Sequence, residues 1–117
     1  MKKGWLLILV FCNACAASQK PVEMEQQDLP VCIGQLAEKF KAAEKQNPPR
    51  AIFSYRYKDK TVYYVTALCC DQVSDLYDDH CNLIGHPDGG FTGGGDGKLP
   101  DFNTAKTAEK LIWKDNR

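Results

Sequence analysis

The chain has no excess charge of either sign. Fifteen lysines and arginines offset fifteen aspartates and glutamates. Without a basic field there is nothing to hold a phosphate backbone, so nucleic acid is excluded as a partner. It also lacks an apolar run near the ~20 residues that a spanning helix needs, because Trp5–Phe11 is only seven residues long. No internal repeat is present. Two site signatures are missing as well. The glycines of Gly93-Gly94-Gly95-Asp96-Gly97-Lys98 are spaced one residue short of a phosphate loop, and Leu99 stands where Ser or Thr must hold magnesium. Neither the D-x-D-x-D-G calcium loop nor the G-G-x-G-x-D repeat occurs.

At 117 residues there is room for one domain. Lys2 and Lys3 followed by the short apolar run and the small residues Ala14-Cys15-Ala16-Ala17 form an export signal over residues 1–16. Two outcomes compete there. Ala14-Cys15-Ala16 fits cleavage before Ala17, whereas Cys15 after Ala14 fits a lipid-modified N-terminal cysteine, the outcome we favour. Residues 17–29 are then a polar tether to the membrane and residues 30–117 the domain. The location implied is the periplasm or the outer membrane of a bacterium.

Removing the signal leaves Cys32, Cys69, Cys70 and Cys81. An even count in an exported chain points to disulfides, with three pairings to choose from. A bridge between the neighbours Cys69 and Cys70 needs a strained ring. If they lie on a strand they face opposite ways, which suits separate bonds to Cys32 and Cys81.

Ile33, Leu36, Ala37, Phe40 and Ala43 recur at helical spacing, after Asp28 as cap and Pro30 in the first turn, up to about Gln46. Asn47-Pro48-Pro49 ends the helix. Ala51–Tyr57 and Thr61–Cys69 are aromatic, β-branched runs joined by a turn at Lys58-Asp59-Lys60. The second has two apolar faces and belongs at the centre of a sheet, with its tyrosines packing. Asp75-Leu76-Tyr77 and Asn82-Leu83-Ile84 suggest a second hairpin. From Gly85 to Asp101 all periodicity is lost in a long loop. Thr104–Lys114 reads as a short helix or irregular segment. The fold class is α+β: one amphipathic helix on a small antiparallel sheet, stabilised by disulfides, with a long Gly/Asp-rich loop.

The stretch Cys69–Phe102 concentrates the chemistry, with both histidines, seven aspartates and seven glycines against a single lysine, Lys98. Asp88, Asp96 and Asp101 offer the oxygen ligands calcium accepts, although aspartate and glycine also serve any tight turn. Cys69, Cys70, His80 and Cys81 form a zinc-type ligand set with awkward spacing. His80 adjoins Cys81, but neighbours on an extended chain point apart, and nearby aspartates raise a thiol pKa rather than lower it. No catalytic residue is assigned. The expected binding surface is Asp78, Asp79, Asp88, Phe91 and Asp96, for a protein or glycan partner.

Val62-Tyr63-Tyr64, Cys69-Cys70-Asp71-Gln72, Leu76-Tyr77-Asp78, Pro87-Asp88-Gly89-Gly90-Phe91-Thr92-Gly93, Gly95-Asp96-Gly97, Pro100-Asp101-Phe102 and Ile112-Trp113-Lys114-Asp115 occur in an ordered series. In these the chain resembles a family of uncharacterised bacterial envelope domains, many of them on lipoproteins. The resemblance implies no activity. It implies that relatives carry a cysteine before x-Pro-Asp-Gly-Gly and another before Pro-Asp-Phe, where this chain has Gly85 and Leu99. A disulfide that staples the loop is then dispensed with here, and Phe91, Leu99 and Phe102 are expected to hold the loop by packing instead. The function expected is an exported, non-catalytic binding or accessory domain of the cell envelope. The alternatives are a calcium-stabilised envelope domain and a thiol-dependent redox or hydrolytic enzyme using Cys69 or Cys70. Calcium is the one cofactor considered.

Overall fold

The computed structural model describes Gly4, residues 29–69 and residues 71–117. Apart from Gly4 and Leu29, the expected signal and tether lie outside the described residues, as do Asp28 and Cys70. The elements are α1 (Val31–Ala42), β1 (Ala51–Tyr57), β2 (Lys60–Val65), β3 (Asp75–Tyr77), β4 (Leu83–Gly85), α2 (Phe102–Ala105) and β5 (Thr107–Lys114). One antiparallel sheet runs β4-β3-β2-β1-β5, so β2 is central as its two apolar faces require.

Alternation along β1 and β2 builds two cores. Ile52, Tyr63 and Val65 face α1, where they meet Ile33, Ala37, Leu36 and Phe40. Tyr55, Tyr57, Val62 and Leu76 face the other way, and Leu99 and Phe102 from the loop and α2 cover them. The glycine–aspartate loop is therefore the second layer of the domain. Phe102 is fully buried, a burial that contributes roughly 1.5–3 kcal/mol.

Four sequence expectations need correction. The helix stops at Ala42, short of Gln46, and Pro30 sits at its N-cap with no side-chain cap. At its far end the Arg117 guanidinium donates to the carbonyls of Phe40 (3.3 Å), Lys41 (3.2 Å) and Ala43 (2.9 Å), taking acceptors that a helix end leaves open. The hairpin turn has two residues rather than three: Lys58 and Asp59 both have positive φ, and Tyr57 pairs with Lys60. That is the primed turn whose twist matches the strands.

The last segment is an edge strand with a short helix before it. Ile52 pairs with Trp113 and Phe53 with Leu111, so Ile112 is the extra residue of a bulge. The bulge lets the neighbours Ile112 and Trp113 both pack on the α1-side core while Leu111 stays exposed, which erases the alternation that marks a strand.

The fourth correction concerns sulfur. Cys32 in the first turn of α1 is bonded to Cys81 in the β3–β4 turn, with Cα atoms 6.3 Å apart. Cys69 is also in a disulfide. The expected split of Cys32 and Cys81 between Cys69 and Cys70 fails because the antiparallel pairing of β2 with β3 puts Cys69 and Cys81 at opposite ends of the sheet, with Cys32 bonded at the Cys81 end. Cys81 follows the turn that closes β3, at the end of the sheet where β1 turns into β2. Cys69 follows the opposite end of β2, six residues of strand away, or about 20 Å. Helix α1 starts at the Cys81 end and runs toward Arg50 and Trp113, as the stacking of Phe40 on both shows.

Candidate functional site: the glycine–aspartate loop and the cleft beside it

Residues 86–101 are cross-braced by their own backbone. Gly89 N–H donates to Gly93 O (3.2 Å), Gly95 N–H to Gly89 O (3.0 Å) and Asp96 N–H to His86 O (2.9 Å). Two backbone bonds tie the loop to the β2–β3 connection, Ser74 N–H to Asp88 O and Gly90 N–H to Gln72 O, both 3.1 Å, and the Ser74 hydroxyl adds bonds to Asp88 O (3.2 Å) and from Asp88 N–H (3.3 Å). Glycine is required at two of these crossings. A Cβ on Gly89 would stand 2.6 Å from Gln72 O, one on Gly95 would overlap His86 O, and both residues have positive φ.

The expected binding aspartates serve mostly as braces. Asp88 accepts from the Tyr64 hydroxyl (2.8 Å) and from Asn103 Nδ2 (3.3 Å). Asp96 accepts backbone N–H bonds from Lys98 (3.0 Å) and His86 (3.1 Å), which lower its pKa in that order. Asp78 accepts from the N–H groups of Asn82 (2.8 Å) and His80 (2.9 Å), and the Asn82 N–H above all holds its pKa down. Asp101 accepts from the Tyr57 hydroxyl at 2.5 Å, which lowers its pKa. Asp79 is exposed beside His80.

Phe91 differs from all of these. At 92% exposure it packs on nothing, contrary to the expectation that it helps to hold the loop. Leu99 and Phe102 do that work.

Sequence reasoning missed the aromatic face beneath the loop. Tyr55, Tyr64 and Phe102 meet at 5.7–6.2 Å, and the Lys106 ammonium lies 4.6 Å from the Tyr55 centroid and 5.3 Å from that of Phe102. The Tyr55 hydroxyl donates to Glu109 at 2.6 Å. Burial, then the bond to Asp88, pushes the Tyr64 hydroxyl up to about 12. Burial likewise raises Tyr55, with its Glu109 bond adding to it. A usable signal was available: each tyrosine on an apolar strand face needs an acceptor.

His86 Nδ1 lies 2.9 Å from both Ser74 O and an Asp75 carboxylate oxygen. Both partners only accept, so this nitrogen carries the proton. Among the described residues no group of three or more His, Cys, Asp or Glu side chains gathers as metal ligands could. Asp88, Asp96 and Asp101 thus do not converge, and the zinc-type set loses Cys69 and Cys81 to disulfides. No described helix is long and apolar enough to cross a membrane.

Beside the loop lies an open cleft of about 270 Å³. Tyr57, Val62, Leu99 and Ile84 form its apolar floor and side, and Lys58, Lys60 and Asp78 its rim. A second hollow, of about 340 Å³, lies by Trp113 and the Asp115–Arg117 clamp.

No curated protein and no solved structure matches the chain. A family model does match, over residues 38–115, a span that begins inside α1 and leaves Cys32 outside. On that match the chain belongs to DUF6970, a domain of unknown function.

Proposed function

We propose that this chain is an exported, non-catalytic binding module of the bacterial cell envelope, anchored through a lipidated Cys15, that engages a protein or glycan partner through the loop tip around Phe91. One observation carries the reading: an almost fully exposed phenylalanine on a loop that backbone bonds hold in one shape. Exposing an aromatic ring to water is unfavourable. Presenting it on a fixed frame lowers the ordering cost of association, and aromatic anchors dominate interface energetics. Export is supported by the signal-like N-terminus and by disulfides, which persist in oxidising compartments. Against the thiol-dependent alternative stand the described cysteines, all held in disulfides.

The test places a photo-crosslinking residue at position 91, and a control one at exposed Gln35 on α1, in the protein expressed in its own cell envelope. A discrete adduct from 91 and none from 35 is expected. Phe91→Ala should abolish that partner's binding and leave the melting midpoint within about 2 °C, as for a surface change. An adduct pattern that is the same at both sites, or no adduct at 91, overturns the reading.

A further inference from the structure

The cleft lies apart from the loop tip, and its chemistry is distinct. Its apolar part combines Tyr57 and Val62 from the β1–β2 hairpin with Leu99 from the loop, and Ile84 on the edge strand β4 remains 37% exposed there. Its charged rim is not balanced. Asp78 has both carboxylate oxygens committed, Oδ1 to the N–H groups of His80 and Asn82 and Oδ2 to Asn82 Nδ2. Lys58 stands over the Tyr57 ring, 5.1 Å from its centroid, and so is fixed against the cleft wall. Lys60 is exposed and enters no ion pair among the described residues. Beyond the rim, Asp101 is bonded to the Tyr57 hydroxyl and its charge also attracts Lys58, which leaves Lys60 as the rim cation outside any ion pair among the described residues.

From this juxtaposition we infer that the cleft is a binding site for a small amphipathic carboxylate, its chain or ring against Val62, Ile84 and Leu99 and its carboxylate between Lys58 and Lys60. A volume of about 270 Å³ holds roughly nine water-sized groups, the size of a six- to nine-carbon acyl chain. The apolar floor supplies affinity, and two ammonium groups against the single carboxylate of the lining, Asp78, supply the preference for a negative head group. This inference does not rest on the loop-tip reading.

The test is an amide-shift NMR titration of the purified protein with octanoate and, separately, octylammonium, which share a chain and differ in head-group sign. Octanoate should give saturating shifts centred on residues 57–62, 78, 84 and 99, and octylammonium should bind several-fold more weakly. Lys60→Gln, at an exposed position flanking the turn, should weaken octanoate by up to about fivefold, the range of one exposed ion pair. It should leave octylammonium no weaker. Phe91→Ala should not change the octanoate titration, which separates failure here from failure at the loop tip. Equal affinity for the two probes, indifference of octanoate to Lys60→Gln, or non-saturating shifts scattered over the surface each overturn the assignment.

Discussion

Removing the Cys32–Cys81 bridge should cost this domain much of its stability. The bond closes a loop with a sequence separation of 49. For that length the chain-entropy relation gives about 4 kcal/mol. A domain of this size has roughly 4–13 kcal/mol in total, at about 0.05–0.15 kcal/mol per residue. The double variant Cys32→Ala/Cys81→Ala should therefore melt roughly 15–30 °C lower, at about 4–8 °C per kcal/mol. It leaves the disulfide at Cys69 intact, which a reductant would not.

The bridge also ties the first turn of α1 to the β3–β4 turn, while Arg117 holds the last. A helix of twelve residues is marginal alone, so helical circular dichroism should fall before the sheet unfolds. Urea melts under non-reducing conditions decide the mechanism. An effect exerted on the unfolded chain raises the m-value, because the freed ensemble expands. An unchanged midpoint with an unchanged m-value would refute the reasoning, since neither the unfolded ensemble nor the helix would then depend on the bond.

Two further outcomes follow from the same geometry. The Arg117 guanidinium pulls the Asp115 pKa down to about 2. A depressed carboxylate adds stability that is fully present above the ordinary value near 4 and lost as pH falls toward 2. Asp115→Asn should be destabilised at neutral pH, and its deficit should close between pH 4 and 2; urea midpoints with parallel pH dependence in the two proteins would contradict this. Gly85→Cys/Leu99→Cys should restore a staple, because a Cβ on Gly85 would stand 3.1 Å from Leu99 Cδ1 and Gly85 has no positive φ. Closing about fourteen residues should add up to about 3 kcal/mol, read against Leu99→Cys alone because that change by itself removes buried packing: a midpoint above the single variant's with no new free thiol is expected, and two new titratable thiols would count against it.

The α+β class, the helix face through Ile33, Ala37 and Phe40, and the span of β1 were legible because periodicity marks packing directly. β5 was not legible. A bulge at Ile112 disrupts the alternation, and no propensity rule locates bulges. The pairing of Cys32 with Cys81 was hidden for a related reason. It depends on the antiparallel pairing that carries Cys69 and Cys81 to opposite ends of the sheet, which no local pattern in the sequence reports. The cap from Arg117 on α1 joins residues 74–77 positions apart. Only tertiary structure shows a contact of that range.

The aspartates show how a composition signal can carry structure that composition alone does not reveal. Seven acidic side chains among glycines look like a surface built to be recognised, because glycine-rich loops are usually solvated. The sheet beneath them carries Tyr55, Tyr57 and Tyr64 on one apolar face, and a hydroxyl buried without an acceptor costs on the order of 1–3 kcal/mol. Glu109, Asp101 and Asp88 meet those three hydroxyls one for one. Two aspartates of the loop and one glutamate of β5 thus satisfy those tyrosines of the sheet. Phe91, by contrast, is a loop side chain that no internal contact explains. Acidic side chains that brace a fold and acidic side chains that meet a partner thus look alike in composition, and it is the hydrogen-bond partners that distinguish the bracing ones.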